Sequence, residues 1–253
     1  MRVTRSVIPN LFTVANLFCG FASIVASFEG RIDQAIWLVV TAGIFDMLDG
    51  VVARITHSTS EFGVELDSLC DAVSFGVAPS VLLYVTFPLS WQHQQWTLVL
   101  SALPAIAGVL RLARFNVQLT SMEDKLYFRG MPIPAGALTL LAYIHDWHIV
   151  IPGGYQPVAL MIVTILVSLA MVSTIKYDNL PRPSGRSFRQ RPAIFILFVI
   201  GIVACIATSL KAMFPFMALY LAGGAVRHAV VFLRDRNDAD DSVEESDPDP
   251  LSM

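Results

Sequence analysis

Charged side chains are scarce in this sequence: Asp, Glu, Lys and Arg make up 15% of its 253 residues, whereas 55% are hydrophobic. Soluble chains carry about 25% charged residues, so this chain has too few to cover a surface that faces water. The mean hydropathy of +0.63 agrees with that conclusion. The composition therefore excludes a soluble domain and a wholly disordered chain, and it indicates an integral membrane protein.

Cysteine is also scarce, since the chain has only Cys19, Cys70 and Cys205. Three cysteines, all in apolar runs, are too few to cross-link a fold of this size by disulfide bonds, which excludes a disulfide scaffold. The five histidines share no spacing, and no His or Cys pattern typical of zinc occurs. No nucleic-acid partner is expected.

Long apolar runs are abundant instead. A membrane-spanning helix needs about 20 mostly apolar residues, and the runs are continuous rather than alternating, which excludes a membrane β-barrel. We therefore predict an all-α, polytopic membrane helix bundle with about eight transmembrane helices, at residues 8–28, 35–55, 66–87, 95–117, 133–150, 157–175, 193–210 and 212–233.

The distribution of Lys and Arg predicts the orientation of the bundle. With eight spans and a cytoplasmic start, 15 of the 17 basic residues fall on the cytoplasmic side and only Arg31 and Lys211 fall outside. Positive charge marks cytoplasmic loops. We expect a multi-pass protein of the cytoplasmic (inner) membrane, with both termini and the acidic site described below on the cytoplasmic side.

The last 17 residues differ from the rest of the chain. Residues 237–253 hold seven acids and no bases, which is typical of a disordered acidic tail. The remaining part, residues 1–236, has 17 bases against 13 acids and is predicted to form one transmembrane domain. Its positive charge, with a polybasic loop at 182–191, favours contact with anionic membrane lipids.

Four aspartates stand out because ionisable groups within a span are costly and usually mark a functional site. Asp46 and Asp49 are three residues apart near the end of the second span, and Asp67 and Asp71 are four apart at the start of the third. Each spacing places both carboxylates on one helix face. Because the link between the two spans is short and returns the chain antiparallel, the two pairs can face each other.

Carboxylates in close contact repel one another unless a cation lies between them. Oxygen-only ligands favour hard cations such as Mg²⁺, Mn²⁺ or Ca²⁺, and four carboxylates can hold two ions of the kind used in phosphoryl chemistry. Buried aspartates also occur in the proton or sodium pathways of transporters, so a cation-coupled transporter is an alternative. Transport predicts acids spread over several spans, whereas these four cluster toward one surface.

The residues between the pairs favour an enzyme. The stretch from Asp46 to Asp71 matches the pattern D-x2-D-G-x2-A-R-x8-G-x3-D-x3-D at all nine specified positions. In this respect the sequence resembles the CDP-alcohol phosphatidyltransferase family. The resemblance implies a membrane-embedded six-helix catalytic core, usually dimeric, that moves the phosphatidyl group of CDP-diacylglycerol to an alcohol and releases CMP.

The resemblance also implies roles for single residues. Asp46, Asp49, Asp67 and Asp71 would be ligands of Mg²⁺ or Mn²⁺, and Asp71 would also be the catalytic base. The residues expected to border the CDP moiety lie in the signature, in the link between the second and third spans, and in the first span. They are Asn10, Thr13, Asn16, Gly50, Ala53, Arg54, Ser60 and Gly63. Helix capping is an alternative role for Asn10 and Thr13.

The acceptor alcohol is indicated by segments outside the signature. The runs 111–116 and 128–136 resemble the phosphatidylserine synthase branch of the family. L-Serine carries a carboxylate, for which an arginine fork is a natural partner, so Arg111, Arg114 and Arg129 are candidate serine ligands. Lipid-phosphate binding is the alternative role for these arginines, and glycerol 3-phosphate or inositol phosphate are the alternative acceptors.

Overall fold

The computed structural model describes residues 3–56, 60–92, 94–120, 130–146, 157–175, 208, 213–219 and 221–224. Every regular element within these ranges is helical, which confirms the all-α prediction. The elements are α1 (Val3–Phe28), α2 (Ile32–Ile55), α3 (Glu61–Asp71), a π-helical segment (Ala72–Val77), α4 (Ala78–Thr86), α5 (Leu89–Gln92), α6 (Gln95–Thr120), α7 (Ile133–Ile144) and α8 (Pro157–Val172).

Four helical stretches are long and apolar enough to cross a membrane, namely Pro9–Phe28, Ile32–Ile55, Glu61–Thr86 and Gln95–Val117. The helices α7 and α8 are apolar but shorter. These six stretches correspond to the first six predicted spans. Most of the seventh span, much of the eighth, the polybasic loop and the acidic tail lie outside the described residues, so the count of eight spans and the domain boundary at residue 236 stay predictions.

The third span begins five residues before its predicted start at residue 66. Ser60 caps the helix, because its side-chain oxygen accepts a hydrogen bond from the Gly63 backbone N–H at 3.0 Å. Glu61 lies in the first turn, where a negative charge interacts favourably with the N-terminal end of the helix dipole. The apolar pattern begins only after this turn, which is why hydropathy places the start too late.

Hydrogen bonds at one end of the bundle show that its helices alternate in direction. Asn116, near the end of α6, bonds to Ser68 in the first third of the stretch Glu61–Thr86. Arg114 donates to the Val172 carbonyl at the end of α8. The opposite ends of α1 and α2 meet where the Ser23 hydroxyl donates to the Ala35 carbonyl at 2.9 Å. The aspartates of α2 and α3 therefore share one end with the last turns of α6 and α8.

The core lies between these helices, and its largest fully buried side chains include Phe75, Leu82, Met131, Leu140 and Met171. The outward faces are apolar too: Phe18 and Phe21 on α1 and Leu166 on α8 are all more than half exposed. A bundle whose solvent is lipid needs no polar outer face.

Two glycines permit close approaches between helices near the end of the bundle that carries the four aspartates, here called the site end. A Cβ atom on Gly20 of α1 would clash with the Ser74 side chain and lie 2.7 Å from Ser74 Cα. Gly130 has a φ of 87°, which an L side chain rarely adopts. Its N–H donates to the Ile175 carbonyl at 2.8 Å, so the segment before α7 is held against the end of α8.

We expect Gly20→Ala to destabilise the protein, because the new methyl group must push α1 away from the π-helical segment. Overpacking of this kind costs about 1 to 3 kcal/mol. The measurement is the thermal unfolding midpoint in detergent. Gly43→Ala is the matched control, since a Cβ there would lie in ordinary contact, 3.7 Å from the Phe75 ring. An unchanged midpoint for Gly20→Ala would contradict the close approach.

Candidate functional site

Three carboxylates meet at the site end of the bundle. Asp46 and Asp49 come from the last turns of α2, and Asp67 comes from the second turn of α3. One oxygen from each lies within 4.8 Å of the others. The structure therefore brings together three of the four aspartates that the sequence singled out.

Asp71 lies one turn beyond Asp67 and is not part of this close set. It is buried, and its Oδ1 atom accepts a hydrogen bond from Asn16 Nδ2 at 3.1 Å. Asp46, Asp67 and Asp49 are near enough to act on it electrostatically. Asp71 thus borders the three-carboxylate cluster while being held separately by α1.

Helix α1 supplies a second hydrogen bond to the acidic residues. The Thr13 hydroxyl donates to Asp49 Oδ2 at 2.9 Å and lies 3.2 Å from the Pro9 carbonyl. Thr13 and Asn16 are one turn apart on the same helix face, and both are buried. In the structure these two side chains contact carboxylates, and the role beside the nucleotide stays a prediction.

The other predicted nucleotide residues lie around the link between α2 and α3. A Cβ on Gly63 would lie 3.2 Å from Ser60 Oγ and 3.5 Å from Asn10 Oδ1, so these three residues are neighbours. A Cβ on Gly50 would lie 3.6 Å from a terminal nitrogen of Arg54.

Arg54 is exposed near the end of α2 and attracts Asp49 electrostatically. Ala53, the residue before it, is half-buried.

The candidate serine ligands occupy different positions. Arg114 is exposed and donates from one terminal nitrogen to the Val172 carbonyl at 3.0 Å, where it caps the end of α8. Arg111 is half-buried one turn earlier on α6. Arg129 lies outside the described residues, immediately before the anchored Gly130.

Comparison with known proteins identifies the family. The family model for CDP-alcohol phosphatidyltransferase matches residues 6–233. The chain belongs to the CDP-alcohol phosphatidyltransferase family. The resemblance seen in the signature is therefore confirmed over nearly the whole chain.

Similar proteins in this family are named for serine. A Helicobacter pylori protein named CDP-diacylglycerol--serine O-phosphatidyltransferase is 39% identical over 222 residues, which cover 87% of this chain and 90% of the relative. A Bacillus subtilis protein of the same name is 34% identical, covering 72% and 96%. The archaetidylserine synthase of Methanothermobacter thermautotrophicus is 34% identical, covering 70% and 71%.

The carboxylate cluster of Asp46, Asp49 and Asp67 fits a divalent cation. Its donors are all oxygen atoms, which suit hard cations. Asp67 Oδ1 is buried, and no hydrogen-bond donor among the described residues reaches it. A buried carboxylate oxygen without a donor costs free energy unless a cation or water satisfies it. The cluster can therefore bind a metal ion.

Sequence reasoning missed the polar contact between α3 and α6. Asn116 Nδ2 lies 3.1 Å from Ser68 Oγ and 3.3 Å from Glu65 Oε2, and the Ser68 hydroxyl lies 3.2 Å from Asn116 Oδ1. The contact ties the helix that carries Asp67 to the helix that carries Arg111. The only sequence signal was the position of Asn116 at the end of the run 111–116.

We expect Asp67→Asn to weaken Mn²⁺ binding by at least about tenfold, since even indirect changes around metal ligands cost 10- to 100-fold. The metal-free variant should unfold no earlier than the unmodified protein, because one repelling charge has been removed. Calorimetric titration with Mn²⁺ and thermal unfolding measure the two effects.

Asp33→Asn is the matched control, because Asp33 is an exposed acid in the first turn of α2, at the opposite end from the cluster. Equal Mn²⁺ affinity for the Asp67 and Asp33 variants would contradict the site.

Proposed function

We propose that this chain transfers the phosphatidyl group of CDP-diacylglycerol to L-serine and releases CMP. The observation that carries the proposal is the cluster of Asp46, Asp49 and Asp67 with Asp71 beside it, in a chain of the CDP-alcohol phosphatidyltransferase family. The serine acceptor is supported by the names of the Helicobacter, Bacillus and Methanothermobacter relatives, which agree on serine and differ in the lipid.

In this proposal Asp46, Asp49, Asp67 and Asp71 hold Mg²⁺ or Mn²⁺, with room for two ions. Bound divalent ions would neutralise charge on the phosphates and on the leaving CMP. The nucleotide lies over the link between α2 and α3, where Asn10, Ser60 and Gly63 are neighbours. Gly50 and Ala53 leave room beside it, and Arg54 supplies positive charge for a phosphate.

Asp71 is the proposed base. It accepts the proton of the serine hydroxyl while the hydroxyl oxygen forms a bond to the β-phosphorus, which carries the diacylglycerol. The bond between that phosphorus and the oxygen bridging to CMP breaks, and CMP leaves with the bonding electrons. A positioned base contributes typically 10²- to 10⁴-fold to such a step, and Asp71 stands one helical turn from Asp67, which keeps it near both metal and acceptor.

The serine carboxylate is assigned to arginines at the same end of the bundle. Arg111 is the first choice because it is half-buried on α6, the helix whose Asn116 contacts Ser68 of α3. Arg114 already donates to the Val172 carbonyl, so its part in serine binding must be shared with that capping role. Arg129 completes the proposed set.

The proposed location is the cytoplasmic membrane, with the site facing the cytoplasm. Arg54, Arg111 and Arg114 lie at the same end as the aspartates, while Arg31 begins α2 at the other end. Basic residues mark the cytoplasmic side. We further propose that the chain works as a homodimer embedded among membrane lipids.

The test is release of CMP by purified protein given CDP-diacylglycerol and a panel of labelled acceptors. We expect transfer to L-serine, loss of activity with a chelator and recovery with Mg²⁺ or Mn²⁺. Ethanolamine should be a poor acceptor, because a site built for a carboxylate would leave its arginine unpaired. Preferred transfer to glycerol 3-phosphate or inositol phosphate would replace serine as acceptor, and full activity without metal would overturn the mechanism.

We expect Arg111→Lys to raise the KM for serine while leaving the KM for CDP-diacylglycerol unchanged. Lysine keeps the charge but cannot form the two parallel hydrogen bonds with which a guanidinium group binds a carboxylate. A loss of one charge-assisted hydrogen bond, about 1.5 to 3 kcal/mol, corresponds to roughly a 10- to 150-fold rise. Arg31→Lys, at the opposite end of the bundle, is the control. Equal rises for both substrates would assign Arg111 to the nucleotide or to the fold.

A further inference from the structure

We propose that Asn16 is a positioning residue for Asp71, fixing the carboxylate in the orientation that proton transfer requires. The inference rests on the proposed function, in which Asp71 is the base. Asn16 Nδ2 donates to Asp71 Oδ1 at 3.1 Å, and the two residues are 55 positions apart in the chain. One carboxylate oxygen is thereby engaged, which leaves Oδ2 to receive the proton.

Asn16 is itself held in place by the helix that carries Asp71. The Ser74 hydroxyl donates to the Asn16 backbone carbonyl at 3.0 Å. Gly20, one turn beyond Asn16, allows this approach because any side chain there would meet Ser74. Two hydrogen bonds in opposite directions therefore join the Asn16 turn of α1 to the turn that follows Asp71.

A π-helical segment lies where these two bonds form. It begins at Ala72, directly after Asp71, and runs to Val77. A π-helix is wider than an α-helix and shifts the register of the side chains that follow it. Asp71 and Ser74 are three residues apart, and both contact the same residue of α1. Segments of this kind occur frequently at functional sites.

Burial argues against direct contact between Asn16 and the nucleotide. Asn16 is 0% exposed, whereas Asp71 is 8% exposed, so Asp71 is the member of this pair that reaches the surface. Asn10, almost two turns earlier on α1, is half-buried and lies beside Gly63 in the link. The two asparagines of α1 thus differ, since Asn10 lies near the proposed nucleotide site and Asn16 lies behind the proposed base.

The burial of Asn16 also indicates that its amide group has a role at this position. Its Oδ1 atom is buried and has no hydrogen-bond partner among the described residues. A buried acceptor left unsatisfied costs about 1 to 3 kcal/mol, which an apolar side chain would avoid. The hydrogen bond that Asn16 Nδ2 donates to Asp71 offsets this cost.

The experiment compares Asn16→Ala and Asn16→Leu with the unmodified protein in the CMP-release assay with serine. We expect kcat to fall 10- to 100-fold, the usual effect of removing a group that orients a reacting or ligating residue. The KM values for serine and CDP-diacylglycerol should change by less than about twofold, since neither substrate contacts Asn16. Ser23→Ala is the control, because Ser23 is a buried polar residue of α1 at the opposite end.

A double-variant cycle separates positioning from a structural role. When Asp71→Asn has already removed the base, adding Asn16→Ala should lower kcat by less than about threefold, because the two residues act as a unit. Additive losses would overturn the inference. A rise in the CDP-diacylglycerol KM at unchanged kcat would also overturn it and return Asn16 to the nucleotide site.

Two further outcomes are distinct from these. If the unmodified protein releases no CMP with serine, the proposed function fails before Asn16 is tested. If Asn16→Ala does not unfold cooperatively in detergent, Asn16→Leu supplies the comparison, since leucine removes the donor at nearly the same side-chain size without adding a charge. A kcat close to that of the unmodified protein in this variant would overturn the inference.

Discussion

Mutual repulsion between carboxylates is the constraint on which the arrangement of the site end depends. Oxygens of Asp46, Asp49 and Asp67 lie within 4.8 Å of one another, and Asp71 is close behind. Such a group is costly at the edge of a membrane unless donors and a cation compensate it. The hydrogen bonds that Thr13 and Asn16 of α1 donate to Asp49 and Asp71 supply part of that compensation.

The sequence could predict the parts of this site that depend on short-range geometry. A helix has a fixed rise and turn, so residues three or four apart share a face wherever the helix lies. That is why Asp46 and Asp49, and likewise Asp67 and Asp71, could be paired before the structure was known. Hydropathy predicted the first six helical stretches for a similar reason, because the length of an apolar run is a local property.

Contacts between distant parts of the chain could not be predicted in this way. No spacing rule links Asn16 to Asp71, Asn116 to Ser68 or Arg114 to Val172, because each pair is set by how two helices pack. The π-helical segment after Asp71 has no pattern of its own in the sequence. Tertiary packing gives Arg114 a helix-capping bond and Asn16 a buried carboxylate partner, neither of which residue type indicates, and their ligand contacts stay predictions.

The chemistry of the α1 donors explains how the site can be ordered without losing its charge. Residues 9–28 of α1 include no Asp, Glu, Lys or Arg, and the groups it offers to the carboxylates are the Thr13 hydroxyl and the Asn16 amide. A buried arginine in either place would form an ion pair and compete with a metal ion for the same oxygens. Neutral donors fix the orientation of a carboxylate while its negative charge stays available to a cation. Helix α1 therefore orients the charges that α2 and α3 supply, and this separation requires that its face toward them be polar and uncharged.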